Sequence, residues 1–405
     1  MSDKHPVIIV GAGLAGLAAA YTLHQANIPF MLLEQNSDIG GRVRTITKNG
    51  FRIDLGFQVL LTAYSELGNF FNVKKLDLCR FEPGAYVYDG HRLHEMTDPL
   101  RRPFTLLSAL TSTLATVKDK AHLIRLRVWL KTQSERTIFK QESIPTHRFI
   151  RQWGFSESFT NCFFKPFLGG IFSDPELITC SRLTCYYLKC FFSGDAAVCR
   201  NGMGCLSQHL NDQLPNDSVR CNATVTSIKS DHVTCHGNIM NASHVIDARS
   251  VSSLSNPVTQ SVRCVHFAAP YLSLPTAKLV LNGTGKGAIN HLAVMTDISP
   301  SYNVNKDERS LVSCSIIDHQ QIDVSVNTIR SHCGQLLSIS TTNWECVDDR
   351  HIKQVATTQH TGTNTPQVIS KDGIWLAGDW TTQGSIQGAL RSGRTVSESI
   401  INKMS

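Results

Sequence analysis

The sequence predicts an α/β fold of the Rossmann type, and three stretches carry that expectation. Val7 to Glu34 reads VIIVGAGLAGLAAAYTLHQANIPFMLLE: an apolar strand, a glycine turn, a helix and a second strand ending in an acid. Gly373 to Ile400 repeats the strand, turn and helix order at the other end of the chain. Between them, a helical stretch over residues 97–200 is followed by strand-like runs at residues 219–246 and 262–318.

The first unit dictates a dinucleotide site. Val7 to Val10 form a buried strand, and Gly11, Gly13 and Gly16 supply a G-x-G-x-x-G turn. Gly11 permits the tight turn, Gly13 lets a pyrophosphate approach the positive helix N-terminus, and Gly16 lets helix and strand pack closely. Glu34, at the end of the second strand, is placed to accept hydrogen bonds from a ribose diol and to repel a 2′-phosphate. A glycine turn in an ordinary α/β protein would leave Glu34 without a reason. The unit by itself does not separate NAD from FAD.

Composition limits the remaining classes. With 405 residues, 41% hydrophobic and 18% charged, the chain is long enough for two domains around a large core. Its first strand begins at about residue 6, so a secretion signal is not expected, and no run reaches the ~18 residues of a membrane span. A cytoplasmic protein is therefore expected. The 13 cysteines include no C-x-x-C pair and read as reduced core residues, with no metal site. The net charge of +7 is spread along the chain, which speaks against nucleic acid as a partner.

After the first unit, Gly40 and Gly41 make a bend, and Arg42 and Arg44 follow it where an incoming diphosphate would lie. Phe51 to Leu55 reads as a short strand feeding a turn at Gly56. In the helical stretch, Leu110, Leu114, Val117, Ala121, Ile124 and Val128 recur at steps of four and three, flanked by Lys118, Lys120, Arg125, Arg127 and Lys131. This stripe is expected to pack into the core; the alternative is a helix lying on an anionic membrane, a peripheral contact suited to a lipid-soluble substrate. Phe149, Ile150, Trp153, Phe159 and Phe163 are read as core. The loop Asn282 to Ala288 lacks the spacing of a phosphate loop and reads as a hairpin turn.

At the C-terminal end, Ile374 to Ala377 form a strand ended by Gly378 and Asp379, and Ser385 to Gln387 lead into a helix. Asp379 is placed to accept from a polyol hydroxyl. The free N–H groups near Gly388 and Ala389 would present partial positive charge to an electron-rich ring.

These residues resemble the flavin-containing amine oxidase superfamily, through GAGLAG, LLE, GGRVRT and DLG near the start and LAGDWTT and SIQGAL near the end. The middle is similar to its phytoene-desaturase-like and protoporphyrinogen-oxidase-like branch, through FFKPFLGGIFSDPELITCSR and NGMGCLSQHL. The resemblance implies FAD rather than NAD. It implies an FAD-binding domain split in sequence over residues 1–96, 197–255 and 345–405, with an inserted α+β substrate domain over 97–196 and 256–344. The cofactor-binding residues it implies are Gly11, Gly13, Leu14, Ala15 and Gly16 at the diphosphate turn, with Glu34 and Gln35 at the adenosine ribose. Gly41 and Arg42 follow at the diphosphate, then Gly56, Phe57 and Gln58. Val225 is implied at the adenine, Gly378 and Asp379 at the ribityl diphosphate, and Ser385, Ile386 and Ala389 beneath the flavin. The implied activity is hydride transfer from an organic, apolar small-molecule substrate to flavin N5. The alternatives are a non-redox FAD-dependent isomerase and an FAD-retaining binding protein. No catalytic residue is assigned: Lys278 has no secure alignment, Trp380 alone makes no aromatic cage, and Lys165, Arg182, His266 and His291 are polar candidates in the substrate domain. Oligomeric state is not legible.

Overall fold

The structure, a computed structural model, describes residues 5–97, 114–250, 259–317, 322–357 and 369–404. Val7–Val10 is the centre of a six-stranded sheet because four consecutive apolar residues can be buried only where both faces of a strand are covered. Its order is Val219–Arg220, Phe30–Leu33, Val7–Val10, Val245–Asp247, Ile374–Leu376 and Ile369–Lys371. Ile9 stands opposite Leu32 on one side and Ile246 on the other, both in parallel register. The edge strand Ile369–Lys371 is antiparallel. Residues from the first and last parts of the chain thus share one sheet.

Helix Leu14–Gln25 and helix Ile386–Met404 lie against each other so closely that a Cβ on Gly393 would fall 2.1 Å from the Ala15 carbonyl oxygen. Small residues, Ala15, Ala18, Ala19 and Gly393, allow that approach.

A seven-stranded sheet runs in the order Glu345–Thr357, Thr259–Pro270, Arg309–Ile316, His291–Val294, Leu279–Asn282, Gly84–Tyr88 and Leu93–Thr97. Two stretches expected with the nucleotide fold, residues 84–96 and 345–357, therefore pair here instead. The expected boundaries followed the cofactor motifs, whereas strand pairing continues past them on both sides. Leu279–Asn282 and His291–Val294 form the expected hairpin around 282–288, with the Asn282 amide donating to the Lys286 and Ile289 carbonyls.

The helices between Val117 and Ser193 pack around an aromatic cluster. Phe159, Phe163 and Phe167 stack in succession, Phe164 closes edge-on on Phe159 and Phe163, and Phe155 meets Phe164 edge-on in turn. The expected apolar stripe is corrected here. Helix Val117–Thr132 buries Asp119, Leu126 and Leu130, while Val117, Ile124 and Val128 are exposed, at 83%, 54% and 58%. The cause is Asp119, which accepts from the backbone and hydroxyl of both Thr116 and Ser156 and so turns its own side inward. The helix is apolar on two opposite sides, and periodicity alone does not say which faces the core. Leu110 lies outside the described residues.

The reading of every cysteine as reduced is also corrected: Cys199 and Cys205 form a disulfide. The turn at Gly202–Gly204 folds back against Thr45 and brings the two together.

Candidate active site

Loops from both sheets and the helical layer enclose one continuous cavity of about 970 Å³. Its first end is the glycine turn. Gly11 has φ +104°, a left-handed conformation open to glycine, and its N–H donates to the Leu33 carbonyl at 2.7 Å. Open space lies where a Cβ on Gly13 would project. A Cβ on Gly16 would instead fall 1.9 Å from the Gly11 carbonyl oxygen, so Gly16 serves packing and does not line the cavity. All the other residues that the family resemblance implies line it.

Glu34 is buried, and its carboxylate accepts from the Ala12 N–H at 2.8 Å and the Asn36 N–H at 2.9 Å. Those bonds fix it at the end of its strand, beside Gln35, Ala223 and Val225. The Gly40 N–H donates to the Ala12 carbonyl at 2.8 Å, which docks the GGR bend on the turn. From this bend Arg42 reaches across the cavity and forms an ion pair with Asp379. Gln58 holds the bend from behind, donating to the Arg42 carbonyl at 2.5 Å.

Asp379 sits in a turn strapped to the last helix. The Gly378 N–H donates to the Ser392 hydroxyl at 2.9 Å, and the Thr381 hydroxyl meets the same oxygen at 2.7 Å. The N–H groups expected to be free at Gly388 and Ala389 are taken by Ser385, through its hydroxyl at 3.1 Å and its carbonyl at 2.9 Å. The helix has already begun at Ile386, so Ser385 and Ile386 form the terminus at the cavity wall.

The far end is apolar. Phe163, Phe164, Phe167 and Phe191 come from the helical layer, and Val262, Cys264 and Ile317 from the large sheet. The aromatics read as core are buried or half-buried, but Phe159 and Phe163 also face this cavity. Tyr64 and Tyr187 line it beside Ser385, and burial holds both phenols protonated far above their usual range. Neither was singled out from sequence: a lone tyrosine in a helix or loop carries no signal until the chain is folded.

Among the polar candidates, only His291 lines the cavity. Its ring meets Phe57 edge-on at 4.8 Å, and burial lowers its pKa to about 4, so it is neutral at physiological pH. The Asn290 amide donates to the Pro166 carbonyl and lies 2.9 Å from His291 Nδ1. This assigns Nδ1 as acceptor and leaves the proton on Nε2, which has no partner. Lys278 is buried against Glu95 and Tyr86, away from the cavity. His266 contacts Ser313, Arg182 bonds the Gln141 carbonyl, and Lys165 faces Glu176.

The donor set fits FAD. Open space over a helix N-terminus, a buried carboxylate, and the unpartnered Gln58 Oε1 and Trp380 Nε1 match a long group with diphosphate, polyol and heteroaromatic parts.

The sequence profile of the family described as flavin containing amine oxidoreductase matches residues 14–278. Protoporphyrinogen oxidase 2 of Arabidopsis thaliana is 25% identical over 177 residues, covering 43% of this chain and 34% of that protein. Phytoene dehydrogenase of Streptomyces griseus is 34% identical over 133 residues, covering 31% of this chain and 25% of that protein. The chain therefore matches about a third or less of the length of these relatives. A putrescine oxidase structure superposes with a TM-score of 0.73 at 17% identity, covering 98% of this chain and 99% of that one, which shows a shared fold. With most of its length matched by the family profile, the chain belongs to the flavin containing amine oxidoreductase family, and its cofactor is FAD.

Proposed function

We propose that the protein oxidises an apolar organic substrate by hydride transfer to FAD, with dehydrogenation of a carbon skeleton favoured over amine oxidation. The observation that carries this reading is the continuity of one cavity from the dinucleotide turn to an end walled by Phe163, Phe164, Phe167 and Phe191, where burial keeps His291 uncharged at physiological pH. The matches to a phytoene dehydrogenase and a protoporphyrinogen oxidase support the same preference.

Bound FAD would supply a two-electron acceptor at its ring. In this reading Gly11, Gly13, Leu14, Ala15, Gly41 and Arg42 hold its diphosphate, Glu34, Gln35 and Val225 its adenosine, and Gly378 and Asp379 its polyol chain. Gly56, Phe57, Gln58, Ser385, Ile386 and Ala389 border its ring. Gly16 contributes only by setting the helix against the turn. The phenylalanine wall excludes water, and His291 donates one hydrogen bond from Nε2 to orient a substrate oxygen or nitrogen. Positioning suffices for hydride transfer, so no protein base is required.

Anaerobic titration of the yellow holoprotein with a panel of polyenes, porphyrinogens and amines tests the reading. Bleaching of the flavin by an apolar C–H donor is expected. Product without bleaching would mean isomerisation, and bleaching by amines alone would mean amine oxidation; either result overturns the proposal.

A further inference from the structure

We infer that the outer side of helix Val117–Thr132 is a membrane-docking surface that takes an anionic phospholipid bilayer. At ~100° per residue, Val117, Ala121, Ile124 and Val128 fall within about 60° of arc. All four are exposed, on the side opposite the buried Asp119, Leu126 and Leu130. Arg125 and Lys118 lie along one border of this row, and Lys120, Arg127 and Lys131 along the other. The only acid on the helix is Asp119, which is buried in its capping box.

An apolar row bordered by cations on both sides suits a helix lying in the headgroup plane. There the row enters the acyl boundary and the long basic stems reach back to the phosphates. A protein partner would need an apolar groove walled by acids on both sides, whereas an anionic bilayer supplies both features without special shape. The Arg125 and Arg127 stems are braced, with their guanidinium groups over Trp153 at 5.0 Å and Phe192 at 5.2 Å. The helix is also the rim of the cavity: Lys120, Leu123, Ile124 and Arg127 line it, and Ile124 is at once lining and exposed. A lipid-soluble substrate would pass from the bilayer to the phenylalanine-lined end without crossing water. That delivery role rests on the function proposed above; the docking itself does not.

The test is co-sedimentation of the yellow holoprotein with vesicles of phosphatidylcholine, with and without phosphatidylserine. Binding to the anionic vesicles is expected to exceed binding to the neutral ones by about tenfold and to fall as salt is raised. V117S/V128S and K118E/K131E change exposed residues that do not line the cavity, so both should keep their flavin and each lose about tenfold in vesicle binding. Absence of wild-type binding, or unchanged binding by the variants, overturns the inference. A wild-type dimer that V117S/V128S converts to monomer would also overturn it, assigning the row to a second copy of the chain. Flavin absorbance is read in every sample, so failure of docking is distinct from failure of the cofactor site.

Discussion

Glu34 shows how one side chain serves fold and ligand together. Its two oxygens hold the backbone at Ala12 and Asn36, on either side of the proposed ribose site. Glu34→Ala is expected to weaken FAD retention at least about tenfold, since two N–H groups lose their acceptor and the ribose its partner. Flavin content after gel filtration, normal in the variant, would contradict the assignment. His266 and His291 set a pH dependence. Burial lowers both to about 4, below the ordinary 6.5, so between these values the unfolded chain binds more protons than the folded one. Their contribution to stability is full above pH 6.5 and is lost as pH falls towards 4, by up to about 3 kcal/mol each. Asp54, which burial raises, acts in the opposite sense and cancels when variants are compared. Urea midpoints at pH 7 and pH 5 should therefore differ less in His266→Gln and His291→Gln than in the wild type. Equal differences in all three proteins would show that neither histidine is the source.

Two glycines on neighbouring helices separate the demands of ligand and packing. At Gly13 a Cβ meets nothing within 4 Å and φ is −74°, so alanine fits the fold and protrudes only into the cavity. At Gly393 it would meet the Ala15 oxygen at 2.1 Å and the Ala19 nitrogen at 2.8 Å, both backbone atoms that cannot step aside. Gly13→Ala should leave the melting temperature of the flavin-free protein unchanged and reduce FAD uptake, whereas Gly393→Ala should destabilise the flavin-free protein by about 1–3 kcal/mol. Loss of flavin-free stability in Gly13→Ala would sink the distinction. The spacing of Gly11, Gly13 and Gly16 made the first turn legible in sequence, because that motif fixes both its neighbours and its ligand. Gly393 was legible only as part of an inner helix face, since the helix it presses on is more than 370 residues away. The helix Val117–Thr132 was legible as a helix but not in its orientation, which a buried aspartate decides against the apolar count.

At the scale of the molecule, sequence disclosed the two ends of the site but not the wall that faces them. Phe163 and Phe167 come to line one cavity with Cys264 and Ile317 only after the helical layer has closed over the large sheet. The edge strands Val219–Arg220 and Ile369–Lys371 are too short to carry a period. The Cys199–Cys205 disulfide depends on a turn braced by Thr45 from another part of the chain. What joins the ends is the meeting of Arg42 with Asp379, 337 residues apart in sequence, across a cavity built by both. A ligand bound there stabilises the folded chain by mass action, about 4 kcal/mol at a thousandfold excess over Kd, which for a chain of this size raises the melting temperature by about 5 °C. In Arg42→Ala and Asp379→Asn that FAD-induced rise should shrink. In the double variant it should shrink by less than the sum of the two, because each single change already breaks the shared contact. Melting curves of the four proteins with and without FAD decide the point. Strict additivity would mean that the two residues hold the cofactor independently, and that the pair is not what couples the first turn to the last helix.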